Sequence, residues 1–209
     1  MGSYSPNIIA NSLICCHTHN ADGEFVVYGD KRYSWGKVVP RVFKIAQALI
    51  KLGVRKEDKV AFMFHNTPEF IEVNCGIQVA EAIPTPMNYR YVTREVEFQG
   101  QHSDANVLIY DSIWAEAVEP VIPNLTGIKH FICLGKSGDS KVISYDEFVN
   151  SGEEKDPAVA NDWKDVAVMI YTGGTTGFPK GVMLTYQAHV EMYSTFLSHV
   201  VSPRFSLQF

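Results

Sequence analysis

The chain has 209 residues, of which 46% are hydrophobic and 20% are charged, so it can form one large globular domain or two small ones. Its net charge of −5 at pH 7, without a basic run, argues against nucleic acid as the main partner. No apolar stretch approaches the length of a transmembrane segment and the N-terminus lacks a hydrophobic signal core, so we expect a cytoplasmic protein.

A first helix is predicted near the N-terminus, and the run Cys15-Cys16-His17-Thr18-His19 lies near its end. The run contains four possible metal ligands, but no second cluster in the sequence completes a zinc site. We therefore interpret it as incidental, and we expect the cysteines of the chain to be reduced because they lack paired spacing. The remaining histidines, interpreted as surface or core residues rather than catalysts, are His65, His102, His130, His189 and His199.

A helix, a strand and a second helix are predicted next along the chain. Apolar residues recur at helical spacing over 35–52, and Ser34 can cap the start of this helix. The continuous apolar run within 59–64 is typical of a buried strand. The second helix is predicted over 67–82, because Pro68 stands at the first helical position, which proline favours.

Strands and helices continue to alternate in the rest of the chain, which indicates an α/β fold with a mostly parallel sheet covered by helices on both faces. The segment 136–163 is polar and rich in turn residues, which predicts a surface excursion rather than a second core. The further strands are predicted at 83–86, 106–110, 129–133 and 165–171, and the further helices near 92–102 and 112–118.

The most informative segment is 165–186, in which two apolar runs are joined by a loop of glycine, threonine and one lysine. Glycine lacks a Cβ, so the backbone can adopt positive φ and point successive N–H groups into one concavity that holds an anion. Threonine hydroxyls and a lysine ammonium add donors and a positive charge. The residues concerned are Thr172, Gly173, Gly174, Thr175, Thr176, Gly177 and Lys180. They predict a phosphate-binding loop between two strands, with a helix after Tyr186.

An ordinary Gly/Thr hairpin turn is the alternative interpretation of this loop. A Walker A loop is excluded, because that pattern needs Gly-Lys-Ser/Thr leading into a helix. Here Lys180 lies between Pro179 and Gly181, and the chain continues as a strand.

The segment from Tyr171 to Val182 resembles the signature of the adenylate-forming, or AMP-binding, superfamily, which includes acyl-CoA synthetases, luciferases and the adenylation domains of peptide synthetases. The resemblance runs from about Asn7 to Tyr186, although only the loop is specific by itself. Gly173 stands where many members have serine, and glycine there is familiar among fatty-acyl-CoA ligases. Upstream, the matching segments are Tyr33-Ser34-Trp35, Leu52-Gly53-Val54, Asp58 to Ala61, and Pro84 to Asn88.

The resemblance implies an acid–CoA ligase that uses ATP, Mg²⁺ and coenzyme A to activate a carboxylic acid, most similar to the enzymes that activate fatty acids. In such enzymes the acid first attacks the α-phosphate of ATP, which gives acyl-AMP and pyrophosphate. The thiol of coenzyme A then displaces AMP. Mg²⁺ and the donors of the loop stabilise the charge that moves onto the leaving phosphates.

The resemblance also implies roles for single residues. Thr175 and Thr176, with the N–H groups of Gly174 and Gly177, would bind the leaving pyrophosphate, and Lys180 would add charge there. Thr172 is similar in position to a Mg²⁺ contact of some relatives, and its alternative is an ordinary threonine at a strand end. The other loop positions are Gly173, Pro179, which would fix the exit of the loop, and Phe178, where the family is variable.

Besides Gly173, two positions depart from the family pattern, and so does the length. Tyr186 stands where many members have histidine, and Glu81 replaces the usual glycine before Ala82. Family enzymes carry further motifs and a mobile C-terminal domain beyond the loop, and residues 181–209 show no trace of them. We therefore expect residues 1–209 to be an incomplete N-terminal AMP-binding domain, with the C-terminal lid domain absent.

Two hypotheses follow for the function. In the first, the chain is the N-terminal part of an acyl-CoA ligase, and the 209 residues alone do not make acyl-CoA. In the second, it is a non-catalytic fragment that at most binds nucleotide or a protein partner. In-frame coding sequence downstream would favour the first hypothesis, and a confirmed stop codon the second.

Overall fold

The computed structural model describes residues 8–173 and 179–192. Within them, helices and strands alternate around one five-stranded sheet, and two further sheets have two strands each. The helices are α1 Ile8–Asn20, α2 Trp35–Lys51, α3 Pro68–Val79, α4 Thr93–His102, α5 Ala115–Val118 and α6 Tyr145–Ser151, with 3₁₀ turns at Ser112–Trp114 and Glu119–Asn124. The strands are β1 Glu24–Tyr28, β2 Lys31–Ser34, β3 Lys59–Met63, β4 Ile83–Pro86, β5 Ala105–Asp111, β6 His130–Leu134, β7 Ile143–Ser144, β8 Val166–Thr172 and β9 Lys180–Thr185.

The five-stranded sheet has the order β4-β3-β5-β6-β7, and each neighbouring pair in it is parallel. In register, Val60 of β3 lies between Pro84 of β4 and Val107 of β5. Parallel strands need crossover connections, and two are supplied by α3, between β3 and β4, and by α4, between β4 and β5. The predicted α/β architecture with a mostly parallel sheet is confirmed.

Helices cover this sheet on both faces. Successive strand residues point to opposite sides, so each face of the sheet contributes to its own core cluster. One core cluster packs under α2, α3 and α6, and its strand members include Val60, Phe62, Val107, Ile109 and Ile132. The other cluster packs under α4 and α5, and its strand members include Ala61, Met63, Leu108, Tyr110 and Cys133. This two-sided burial explains why these strands are apolar throughout their length.

The start of α2 is as predicted, but its capping is not. Ser34 occupies the N-cap position with extended backbone, φ −86° and ψ 161°, yet its side chain makes no capping hydrogen bond. The predicted hydroxyl cap is therefore wrong. At α3 the prediction is confirmed, because Pro68 is its first residue and Thr67 its N-cap.

The segment 136–163 is not only a surface excursion, and this prediction is wrong for its centre. β7 extends the parallel sheet and α6 packs against α2. Tyr145, Phe148 and Val149 of α6 are buried in the first core cluster. Their spacing of three and four residues is helical, but turn residues on either side obscure it in the sequence.

The N-terminal Cys/His run lies in α1, and Cys15, Cys16, Cys75 and Cys133 are free thiols. Burial raises the pKa of Cys75 to about 11, so this thiol stays protonated and unreactive at neutral pH. In residues 8–173 and 179–192 there is no group of three or more His, Cys, Asp or Glu side chains that could hold a metal ion. Nor does this part of the chain contain a helix long and apolar enough to cross a membrane.

Candidate functional site

The predicted phosphate loop joins β8 to β9, which form an antiparallel hairpin. In register, Thr172, the last residue of β8, lies opposite Lys180, the first residue of β9. The predicted order of strand, loop and strand is therefore confirmed, and residues 186–192 are helical as expected. The hairpin brings the threonine and the lysine together at the mouth of the loop.

Four of the predicted site residues lie among the described ones. Thr172, Gly173 and Lys180 are exposed, and Pro179 is partly buried. Among the described residues, a Cβ built on Gly173 would meet no atom within 4 Å, so packing against them does not require glycine at this position. Five further predicted residues lie outside the described residues, and their roles stay predictions: Gly174, Thr175, Thr176, Gly177 and Phe178.

The chemistry of the mouth suits an anion, because Thr172 offers a hydroxyl donor and Lys180 an ammonium group. For Mg²⁺ the same residues offer one oxygen, that of Thr172. Mg²⁺ keeps several waters and binds nucleotide phosphates together with one or two protein oxygens. Thr172 therefore fits as a single protein contact, with the other ligands coming from phosphate and water.

The hairpin is attached to the body of the protein mainly through β8, which lies against β4. The side-chain Nε2 of Gln78 in α3 donates a buried hydrogen bond of 3.0 Å to the carbonyl oxygen of Ala167. At the start of the hairpin, the ammonium of Lys56 lies 2.6 Å from a carboxylate oxygen of Asp165. Burial raises the pKa of Asp165, but the hydrogen bonds from Lys56 and from the backbone of Asp162, with the charge of Lys56, lower it overall.

The two departures from the expected sequence pattern lie near this attachment. Tyr186 is buried, and its backbone N–H donates to the carbonyl oxygen of Asp165 at 3.1 Å. Glu81 has a φ of 62°, in the left-handed region that glycine adopts freely. A glutamate therefore occupies a backbone conformation that favours glycine.

Tyr171 links the mouth of the hairpin to α4. Its hydroxyl lies 2.8 Å from Nδ1 of His102, and a Cβ built on Gly181 would lie 3.3 Å from its ring. The pKa of Tyr171 is raised to about 12, mainly by burial and to a smaller extent by the charges of Asp104 and Tyr91. Sequence reasoning missed this link, because 69 residues separate the two side chains and no spacing pattern connects them.

A cluster of aromatic rings at the carboxyl ends of the parallel strands was also missed. His65, Tyr89 and Trp114 follow β3, β4 and β5, and the His65 ring centroid lies 4.8 Å from that of Tyr89 and 4.7 Å from that of Trp114. Arg90 places its guanidinium carbon 5.4 Å from the centroid of the Tyr89 ring. Ligands of open α/β sheets bind outside the carboxyl ends of the strands. The position of these residues just after predicted strands was therefore the sequence signal for this cluster, and a histidine considered alone was not.

Comparisons with known proteins agree with this arrangement. The sequence profile of AMP-binding enzymes matches residues 16–207. A medium/long-chain-fatty-acid–CoA/3-oxocholest-4-en-26-oate–CoA ligase of Mycolicibacterium smegmatis is 31% identical over 168 residues, which is 78% of this chain and 30% of the relative. A 4-hydroxybutyrate–CoA ligase of Metallosphaera sedula is 32% identical over 173 residues, or 78% of this chain and 31% of that protein. The chain thus spans about 30% of the length of these relatives.

Solved structures share the fold. The crystal structure of an anthranilate CoA ligase in complex with anthranoyl-AMP superposes with a TM-score of 0.86 at 20% identity, covering 94% of this chain and 38% of that one. A long-chain-fatty-acid-CoA ligase of Archaeoglobus fulgidus superposes with a TM-score of 0.76 at 28% identity, covering 97% and 41%.

Proposed function

Because the chain belongs to the family of AMP-binding enzymes, we propose that it is the part of an acyl-CoA ligase that holds the phosphates of ATP. The observation that carries this proposal is the exposed pair Thr172 and Lys180 at the mouth of a Gly/Thr loop between two strands. The relatives are named as ligases that join different acids to CoA, and they support the same reaction with a carboxylic acid here. Gly173 favours a fatty acid as the finer assignment.

In the proposed first step, a carboxylate oxygen attacks the α-phosphorus of ATP, and the bond to the oxygen that bridges to the β-phosphate breaks. Lys180, the hydroxyls of Thr175 and Thr176, and the N–H groups of Gly174 and Gly177 stabilise the negative charge that collects on the leaving pyrophosphate. Bound Mg²⁺ would neutralise part of the same charge, with Thr172 as its protein contact.

In the proposed second step, the sulfur of CoA attacks the carbonyl carbon of the acyl-AMP, the carbon–oxygen bond to AMP breaks, and the thiol proton is released. The loop has no leaving pyrophosphate to stabilise in this step. Its residues therefore matter mainly for the first half-reaction.

We propose this activity for the longest polypeptide that the gene encodes, rather than for residues 1–209 by themselves. Adenylation needs the acid, the ribose and the phosphates to be held within about half an ångström of their productive positions. A phosphate-binding loop alone supplies one part of that arrangement. We therefore expect no sustained formation of acyl-CoA by the 209 residues alone.

The test compares both half-reactions in that polypeptide and in its Lys180→Ala variant. Exchange of labelled pyrophosphate into ATP, in the presence of a panel of short to long fatty acids, reports the first step. Lys180→Ala or Thr176→Ala should slow it by roughly ten- to a thousandfold, the scale of losing one charge-stabilising donor. Coupling of CoA to preformed acyl-AMP should change much less.

The matched control is Lys164→Ala, which removes an exposed lysine just before β8. This variant should retain the exchange rate. Equal losses in both half-reactions of the Lys180 variant would mean that the loop is structural. Absence of exchange with every acid would reject the ligase proposal and favour a non-catalytic role.

A further inference from the structure

His102 lies in the last turn of α4 and faces the hairpin. Its Nδ1 is 2.8 Å from the hydroxyl of Tyr171, and the two rings meet edge to face with centroids 5.8 Å apart. Phe98, one helical turn earlier, stacks on the His102 ring, with centroids 5.3 Å apart and an interplanar angle of 23°. Residues four apart lie on the same face of a helix, so α4 presents the two rings together.

Tyr171 occupies a fixed place in the hairpin. It pairs in register with Gly181, and a Cβ built there would lie 3.3 and 3.4 Å from Tyr171 ring atoms and would collide with the side chain of Met169. Glycine at 181 thus lets the tyrosine ring lie close to β9. The next pair along the ladder is Thr172 with Lys180, so a shift of this ring moves the mouth of the loop directly.

The hydroxyl of Tyr171 keeps its proton at neutral pH, because burial raises its pKa to about 12. It can therefore donate to an unprotonated Nδ1 of His102, or accept from Nδ1–H in the other tautomer. Either arrangement gives one short hydrogen bond between α4 and β8. This bond, at one residue from Thr172, joins the helical layer of the body to the mouth of the hairpin.

We propose that His102 is a positioning residue for adenylation: through Tyr171 it holds the Thr172–Lys180 pair in the geometry that receives the phosphates. The catalytic part of this inference rests on the proposed function. In this proposal the effect of His102 passes through the tyrosine hydroxyl and the hairpin ladder.

The first arm of the test measures pyrophosphate exchange in the longest encoded polypeptide. His102→Phe keeps a ring that can stack on Phe98 but removes both nitrogens, and it should slow exchange about tenfold, since a displacement of about 1 Å can cost up to a hundredfold. His102→Asn places an amide near the position of Nδ1 and should restore the rate to within about threefold of the unsubstituted protein. Coupling of CoA to preformed acyl-AMP should stay within about twofold in both variants.

The control is His19→Phe, which also removes an exposed histidine from the last turn of a helix, here α1. It should leave the exchange rate unchanged. Tyr171→Phe and the double variant His102→Phe/Tyr171→Phe complete a cycle. Because both side chains act through one bond, the double variant should be no slower than the slower single variant, and independent additive losses would overturn the proposal.

The second arm measures amide hydrogen exchange in the 209-residue chain and needs no enzymatic activity. In His102→Phe, residues 170–173 and 180–182 should exchange about tenfold faster, while β5 is unchanged. Unchanged hairpin exchange would overturn the positioning role even if the ligase activity is found. Loss of β5 protection as well would mean a purely structural role. If no acid supports pyrophosphate exchange into ATP, the proposed function is rejected. Amide hydrogen exchange alone then decides whether His102 holds the hairpin.

Discussion

The parallel sheet and the β8–β9 hairpin are both built from apolar strand residues, but they differ in how many of their faces are covered. In β3, the residues from Val60 to Met63 are fully buried. In the hairpin, the paired residues Ile170 and Val182 are 39% and 42% exposed, and Met183 is 58% exposed. An apolar run therefore predicts a strand in both regions, but it does not predict how the strand is covered.

Because of this difference, the sheet mainly determines the stability of the fold, whereas the hairpin carries the polar groups of the candidate site. The sheet carries the buried apolar area that drives folding, whereas the hairpin carries exposed polar groups at Thr172 and Lys180 next to exposed apolar side chains. An exposed apolar surface of this kind promotes association, so the isolated chain is expected to self-associate through the hairpin. Substitutions in the two regions should accordingly affect different measurements.

The largest difference is expected from removing a buried ring from the sheet. Phe62 is fully buried and packs edge to face against Phe70, with ring centroids 5.2 Å apart. Phe62→Ala should lower the free energy of unfolding by about 3 to 5 kcal/mol in urea titrations, because it leaves a cavity. Ile170→Ala in the hairpin should cost less than about 1 kcal/mol. Equal costs would show that the hairpin belongs to the same core.

A smaller difference is expected from adding one methyl group. A Cβ on Gly76 of α3 would lie 2.5 Å from Cγ2 and 2.8 Å from Cβ of Ile45 in α2, so Gly76→Ala should destabilise the protein by about 1 to 3 kcal/mol. Gly173→Ala at the end of β8 meets no atom of the described part of the chain and should change stability by less than about 0.5 kcal/mol. Thermal unfolding of the two variants tests the contrast, and a stable Gly76→Ala protein would mean that α2 and α3 can separate.

Removing the hydrogen bond that joins the hairpin to the sheet region should lower stability less, and its effect should be local. Gln78→Leu leaves the buried carbonyl oxygen of Ala167 without its side-chain donor, which should cost about 1 to 2 kcal/mol and increase hydrogen exchange in β8 more than in β3. Gln47→Leu breaks a similar bond of 3.1 Å to the carbonyl oxygen of Lys155, but this bond is exposed. That control should cost only a few tenths of a kcal/mol. Uniform loss of protection across the sheet would show that the hairpin does not open separately.

The same contrast explains what the sequence could predict. Periodicity and apolar runs located α2, α3 and β3 to β6 to within a few residues, because covered elements carry strong apolar patterns, but they missed β7. They also failed for α6, whose three buried residues stand among turn residues. The phosphate loop was predicted from glycine and threonine chemistry, which is local, and its position between two strands is confirmed. The contact of His102 with Tyr171 and the ring cluster at His65 depend on tertiary packing, so no local pattern could reveal them.

The smallest effect is expected at Glu81, which lies where the body meets the hairpin, within the electrostatic field of Lys56 and Asp165. Its φ of 62° costs a non-glycine residue about 1 to 2 kcal/mol, whereas glycine adds about 0.5 to 1 kcal/mol of unfolded-state entropy. Glu81→Gly should therefore raise the free energy of unfolding at pH 7 by about 0.5 to 1 kcal/mol. Urea titrations at several pH values give the measurement.

The pH dependence of this gain separates backbone strain from charge. Burial raises the pKa of Glu81, opposed by Lys56 and assisted by Asp165, so the ionised carboxylate destabilises the folded state above that pKa. The gain from Glu81→Gly should thus be largest at neutral pH and shrink as the pH falls through the raised pKa of Glu81, with its charge component lost below the ordinary pKa of a glutamate. Glu57 has a similar φ of 68° but is exposed, so Glu57→Gly is the comparison for relief of backbone strain without a buried carboxylate. If both gains vary alike, charge at the joint is not the cause. If neither variant is stabilised, the surrounding turns hold these residues without strain.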